Sequence, residues 1–334
     1  MSEIQALSLE DRLAAALAAR EALLDKNYQE PARLFNGFYE GCPELVADLY
    51  AGSLVLFGYA AAEDANASRM AQAQAFYLER LPGIRCVIHK NRSAPERGGK
   101  VAWGGPPDQQ AREQAIWYAL DLLMNQDASF YLDTRGLRDW LLANAGGQHV
   151  LNLFAYTGSL GVAALCGGAA QVVQVDRSRK FLALARRSAA LNQADLGKMK
   201  LVAADFFDQV AAYKRSGRRF GIVIVDPPFF SATEKGVVDQ AAASERVINK
   251  VRPLVEDGGW LVVVNNALFL SGANYWHSLE RICQDGYLAV QARLPVPADI
   301  TGFPETICTA APVDPAPYNH STKITLLRVR RKGI

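Results

Sequence analysis

Between positions 149 and 176 the chain falls into two short, mostly apolar runs with a small-residue stretch between them. VLNLF (150–154) predicts a buried strand, AYTG (155–158) a tight turn, and SLGVAALC a helix reaching Cys166. QVVQV then predicts a second strand, closed by Asp176. Near-continuous apolar runs suit strands covered on both faces, as in a parallel sheet. The alternation continues to the end of the chain. A helix over 134–144 precedes the first strand, and helix 178–192, strand 199–204, helix 206–215 and strand 220–226 follow the second. Helix 236–254, strand 259–265, helix 273–284 and strands 287–293 and 323–329 complete the pattern. Seven strands with interleaved helices predict a Rossmann-like, doubly wound α/β domain. The proline-rich stretch 295–319 is long for a simple connection and is expected to cover the site.

The first 130 or so residues differ. A helix over 9–24 leads into RLFNGFYEGCPELVADLYAGSLVLFGYA, where glycines and a proline punctuate two strand-like stretches. A helix over 67–78 and strands near 86–89 and 115–123 follow, separated by NRSAPERGGKVAWGGPPD, which reads as a long mobile loop. The boundaries expected are a small α+β domain over 1–128 and the α/β domain over 129–334. The 334 residues suffice for two such cores, and the +2 net charge neither demands nor excludes a polyanionic partner. The N-terminus carries charges within its apolar stretch and reads as a capped helix, not a signal peptide. Cys42, Cys86, Cys166, Cys283 and Cys308 are odd in number and widely spaced, which argues against a disulfide framework or zinc site and for the cytoplasm.

A strand, a turn at a helix N-terminus and an acid ending the next strand suit a nucleoside: the turn admits the ligand to the backbone and the acid accepts ribose hydroxyls. Ala155, Tyr156, Thr157 and Ser159 occupy the turn where a GxGxxG motif would cradle a pyrophosphate, so S-adenosylmethionine is favoured over a dinucleotide. Asp226-Pro227-Pro228-Phe229 ends the apolar strand FGIVIV, on the carboxyl edge where ligands of such sheets bind. The prolines fix the backbone and leave carbonyls facing the ligand, the acid can accept a base N–H, and Phe229 can stack on a flipped base.

Four blocks in this order, RLFNGFYEGCPELVADLY, FYLDTR (130–135), NLFAYTGSLGVAA and DPPF, resemble bacterial 23S rRNA methyltransferases of the RlmI/RlmK type. The resemblance implies a class I methyltransferase domain after a small α+β domain, with S-adenosylmethionine as methyl donor. It also implies a leading RNA-binding PUA domain, for which residues 1–30, read as one helix, are too few. Carried over by position, Asn152, Phe154, Ala155, Tyr156, Thr157 and Gly158 would wall the methionine side of the cofactor. Asp176, with Arg177 beside it, would hold the ribose, while Asp205 and Phe206 would meet the adenine. Asp133 and Arg135 would reach the amino-acid end. Asp226 and Pro227 would lie near the sulfonium, with Phe229 toward the target base.

Methylating C5 of a pyrimidine requires a thiolate to add at C6. The strand WLVVV runs into Asn265-Asn266-Ala267 and the tetrad contains no cysteine, so nitrogen methylation is expected, at guanine N7 or an exocyclic amine. Asp226, Asn265 and Asn266 suit the orienting of a lone pair. The alternatives are cytosine C5 chemistry with Cys308 displaced into the site, a small-molecule N-methyltransferase, and a non-catalytic ribosome-assembly factor. Basic stretches at 85–100, at Arg177, Arg179, Lys180, Arg186 and Arg187, and in the C-terminal RVRRK favour a polyanion, with rRNA the expected partner.

Overall fold

The computed structural model describes residues 7–93, 98–242 and 244–331, which divide into two compact units. The first comprises residues up to Asp133 together with Pro297–Ala311. It opens with helix α1 (Leu9–Ala19), where Ser8 and Asp11 form a reciprocal capping box: the Ser8 hydroxyl accepts the Asp11 N–H and the Asp11 carboxylate accepts the Ser8 N–H. Strand β1 (Ala32–Asn36), helix α2 (Gly37–Glu40), strands β2 (Leu45–Tyr50) and β3 (Ser53–Gly58), helix α3 (Glu63–Arg80), and strands β4 (Cys86–Asn91) and β5 (Lys100–Gly104) follow. The five strands form one sheet in sequence order, and α3 makes the crossover that lets β4 lie parallel to β3. Strands β6 (Gln110–Glu113) and β7 (Ile116–Ala119) pair as a separate hairpin.

The second unit spans Thr134–Val296 and 312–331. Helix α4 (Arg135–Asn144) precedes strand β8 (His149–Leu153), helix α5 (Ser159–Cys166), strand β9 (Gln171–Asp176), helix α6 (Arg179–Leu191), strand β10 (Met199–Ala203), helix α7 (Phe206–Arg215) and strand β11 (Phe220–Val225). Then come strands β12 (Phe230–Thr233) and β13 (Gly236–Asp239), helix α8 (Ser244–Val251), strand β14 (Val255–Asn265), helix α9 (Gly272–Cys283), and strands β15 (Leu288–Leu294) and β16 (Lys323–Val329). The seven-stranded sheet runs β10-β9-β8-β11-β14-β16-β15, with β16 antiparallel to both neighbours. Strand order reverses between β8 and β11, the switch point at which such sheets take their ligands. Val173, Val223, Ile224 and Leu261 are buried completely, as strands covered on both faces require.

Three expectations change. The stretch 236–254 is not one helix: β12 and β13 form a hairpin and only Ser244–Val251 is helical. Phe230, Thr233, Val237 and Val238 favour strand, and Gly236 lies so close to the Phe207 ring that a Cβ would sit 2.7 Å from it. The stretch around 100–104 is a strand and not a loop, paired antiparallel with β4. Finally, 297–311 does not continue the α/β domain. It packs with the first unit, where the buried Arg20 guanidinium pairs with Glu40 at 2.8 Å and donates to the Asp299 carbonyl, and the Asp299 carboxylate accepts the Arg33 N–H. Among the described residues, no helix is long and apolar enough to cross a membrane.

Candidate active site

The turn after β8 is shaped by unusual backbone. Phe154, Tyr156 and Gly158 have φ of +58°, +50° and +78°, so two side-chain-bearing residues hold a left-handed conformation. Such strain persists where packing over-determines it, and it concentrates at ligand sites. The Phe154 ring stacks on Phe206 with centroids 4.6 Å apart, and Tyr156 meets Phe181 of α6 edge-on. The Asp176 carboxylate ties the turn to β9 by accepting the Tyr156 N–H at 2.9 Å and the Ser178 N–H at 2.8 Å. The Arg177 N–H also donates to this carboxylate, which leaves at least one oxygen with a lone pair for a hydroxyl donor. Burial raises the Asp176 carboxyl above the usual aspartate range, against the lowering effect of these N–H groups.

Small residues let α5 approach the sheet. A Cβ on Gly158 would lie 2.4 Å from that of Ala185, and one on Gly161 would lie 2.4 Å from the side-chain amide carbon of Gln174. Gln174 is fully buried in β9 and accepts from the Asn152 amide at 3.2 Å. Asn152 is thus 1% exposed, with its amide N–H held by Gln174 and its Oδ1 left without a hydrogen-bond partner among the described residues. Ala155 and Thr157 are buried in the turn itself. Asp205 caps α7 by accepting the Phe207 N–H at 2.8 Å, which holds Phe206 in the stack with Phe154. Arg177 is exposed after β9, Arg135 opens α4 in the second unit, and Asp133 falls on the first unit.

At the tip of β11, Asp226 is partly exposed and Phe229 is 47% exposed. The Pro227 carbonyl does not face a ligand as expected: it accepts from the side-chain amides of both Gln240 and Asn266. Both its lone pairs are thereby used. Asn265 is likewise buried and committed, donating to the Gln240 carbonyl at 3.0 Å and accepting from the Ala267 N–H at 3.0 Å. Both ends of its side-chain amide are therefore engaged within the fold. Asn266 donates its N–H to Gln240 Oε1 and accepts from Gln240 Nε2. Gln240, at the end of the β12–β13 hairpin, ties the tetrad to the β14 tip. Sequence reading missed it because a lone glutamine carries no signal and the segment was read as helix. Lys323, fully buried at the start of β16, donates to the Ala267 carbonyl, and burial lowers its pKa to about 8.

Of the basic stretches, the one at 85–100 is largely spent internally. Arg85 pairs with Asp108, Arg92 pairs with Asp127, and the Lys90 ammonium donates to the Asn125 and Asp127 carbonyls. Arg97 lies outside the described residues. At the C-terminus Arg328 lies over the Trp260 ring and Arg331 donates to the Pro253 and Val255 carbonyls, while Lys332 lies outside the described residues. The cations on and beside α6 remain exposed.

This is the architecture of the Rossmann-like methyltransferases. A family model of S-adenosylmethionine-dependent methyltransferases matches residues 33–299. The chain is 30% identical over 255 residues to ribosomal RNA large subunit methyltransferase I of Serratia proteamaculans, covering 75% of this chain and 64% of that protein. It is 33% identical over 236 residues to the ribosomal RNA large subunit methyltransferase of Deinococcus radiodurans, covering 67% and 57%. It thus spans less than two thirds of the length of these relatives. A crystal structure of a candidate methyltransferase complexed with S-adenosylhomocysteine shares the fold, with a TM-score of 0.83 over 97% of this chain and 83% of that one, at 21% identity. The chain belongs to the S-adenosylmethionine-dependent methyltransferase family. Its residues fit that cofactor: a left-handed turn leads into α5, the Asp176 carboxylate suits a ribose, and the Phe154–Phe206 pair offers an apolar wall.

Proposed function

We propose that this protein transfers a methyl group to a base nitrogen of 23S rRNA, at guanine N7 or an exocyclic amine, and that it works in the cytoplasm. The names of the relatives support an RNA of the large subunit as substrate. The observation that carries the choice of atom is the carboxyl edge of the sheet. It presents Asp226 and the exposed Phe229, and among the described residues of this unit the cysteines end α5 and α9, away from that edge. Cys308 belongs to the first unit. When bound, S-adenosylmethionine supplies an electrophilic methyl on its sulfonium. Asp226 accepts an N–H of the base and so fixes the direction of its lone pair. Phe229 offers a ring face to the extruded base, and Gln240 with Asn266 keeps the Pro227 backbone from moving. Orientation of this kind accounts for most of the acceleration when the nucleophile needs no covalent activation.

The test is methyl transfer from tritiated S-adenosylmethionine to rRNA, followed by mass spectrometry of the nucleosides. Asp226→Asn replaces half of the acceptor with a donor, so turnover should drop by about 10² or more, while calorimetric affinity for S-adenosylhomocysteine stays near wild type. Normal turnover in Asp226→Asn would reduce the tetrad to a structural turn. A covalent adduct with 5-fluorocytosine-containing RNA, lost in Cys308→Ser, would replace nitrogen chemistry with C5 chemistry.

A further inference from the structure

Helix α6 carries Arg179, Lys180, Arg186 and Arg187, all exposed, and the turn that packs against it adds Lys198. Between positions 177 and 200 the only carboxylate is Asp195, which caps that short turn by accepting the Gly197 N–H at 2.8 Å. None of the four helix cations has an ion pair or other recorded partner among the described residues. Their neighbours three and four positions away along the helix are alanines, leucines and other uncharged residues, so no intrahelical pair offsets the charge. Arg179 and Lys180 lie in the first turn, which contains no acid, and there they work against the helix dipole. A merely solvated helix would not concentrate like charge in this way. Arg179 and Arg186 are seven residues apart, as are Lys180 and Arg187, so two cationic pairs sit on one face about 10 Å apart along the axis.

We propose that the α6 face is where the phosphate backbone of the RNA substrate docks on the methyltransferase unit. The inference rests on RNA being the substrate. Charge complementarity selects the occupant. A second copy of this chain meeting it across a two-fold axis would bring the same positive face and be repelled. A membrane-surface helix needs a row of bulky apolar side chains at its interface, whereas the exposed apolar residues of α6 are Ala183, Ala190 and, at its last position, Leu191, with Leu196 on the following turn. The helix also begins at the cofactor turn, through the Tyr156–Phe181 contact and the Ser178 cap, so RNA held there is held on the element that frames the cofactor. In the other basic stretches Arg85, Arg92 and Arg331 are spent on internal partners, which leaves Arg330 as an isolated exposed cation there among the described residues.

The test is filter binding of labelled 23S rRNA and of poly(U) over a salt series, with the wild type and the quadruple variant Arg179→Gln/Lys180→Gln/Arg186→Gln/Arg187→Gln. These positions are exposed and glutamine is a good helix former, and calorimetry with S-adenosylhomocysteine checks that the variant is folded. Removing four phosphate contacts should weaken binding to both RNAs by about tenfold or more and flatten the log–log salt slope by about 3. The KM for rRNA should rise with kcat unchanged, and Arg186→Lys/Arg187→Lys should keep wild-type binding. An unchanged salt slope and affinity in the folded quadruple variant would overturn the proposal. So would loss of binding to phosphatidylglycerol vesicles with RNA binding intact. Should the wild type bind rRNA through α6 yet transfer no methyl to it, the docking face stands and the substrate reading falls.

Discussion

Asp176 has to be desolvated enough to recognise hydroxyls and still ionised enough to accept from them. The structure meets the first demand by burial and the second with the N–H groups of Tyr156 and Ser178. Since burial outweighs them and the pKa is raised, the carboxylate is lost on acidification while ordinary aspartates are still charged. Cofactor affinity should therefore fall at mildly acidic pH, above the usual aspartate value of 3.8, and Asp176→Asn should remove that dependence. Asp176→Ala should weaken binding of S-adenosylhomocysteine by roughly 1.5–3 kcal/mol, read by calorimetry. Unchanged affinity in a folded variant would place the nucleoside elsewhere. Gln240 raises a different question, since its amide satisfies Pro227 and Asn266 together. Gln240→Leu should cost about 1–3 kcal/mol of stability in urea denaturation and lower kcat with little change in cofactor affinity. A variant as active as wild type would mean the tetrad holds its shape without this network.

At the scale of elements, α5 can follow β8 so tightly because Gly161 leaves room for the buried Gln174 amide. Gly161→Ala puts a methyl where that amide lies, and overpacking of this kind costs about 1–3 kcal/mol. Gln174→Ala clears the space, so the double variant should be more stable than the sum of the two single losses predicts. Strict additivity in denaturant titrations would show that the two side chains do not meet. The turn, both its strands and helix α5 were legible in the sequence, because near-continuous apolar runs and small residues at a helix start leave few other folds. The β12–β13 hairpin was not. Its β-branched residues are few and lie next to the alanines and helix-forming residues that lead into α8, and it is contact with Phe207 and with the β14 tip that selects the hairpin.

For the whole molecule, a cofactor that binds the folded second unit must stabilise it by mass action. S-adenosylhomocysteine at a hundred times its dissociation constant should add about 2.7 kcal/mol, read as slowed hydrogen exchange at β8, β9 and α6. Equal protection throughout the first unit, with none gained at β8, would contradict a site at the switch point. Sequence by itself determined the sheet, the switch-point turn, Asp176 and the DPPF edge, because each rests on local periodicity or on residue types that a short span must contain. The tertiary structure alone decided the surroundings of Asn152, Asn265 and Pro227: the Asn152 amide donates to Gln174, the Asn265 amide donates to the Gln240 carbonyl, and the Pro227 carbonyl accepts from the Gln240 amide, each partner lying on a separate element. It also decided which basic residues are available. Arg85, Arg92 and Arg331 read in sequence much like Arg179 and Arg186, but the first three find internal partners that only folding brings within reach, whereas α6 turns its cations to solvent.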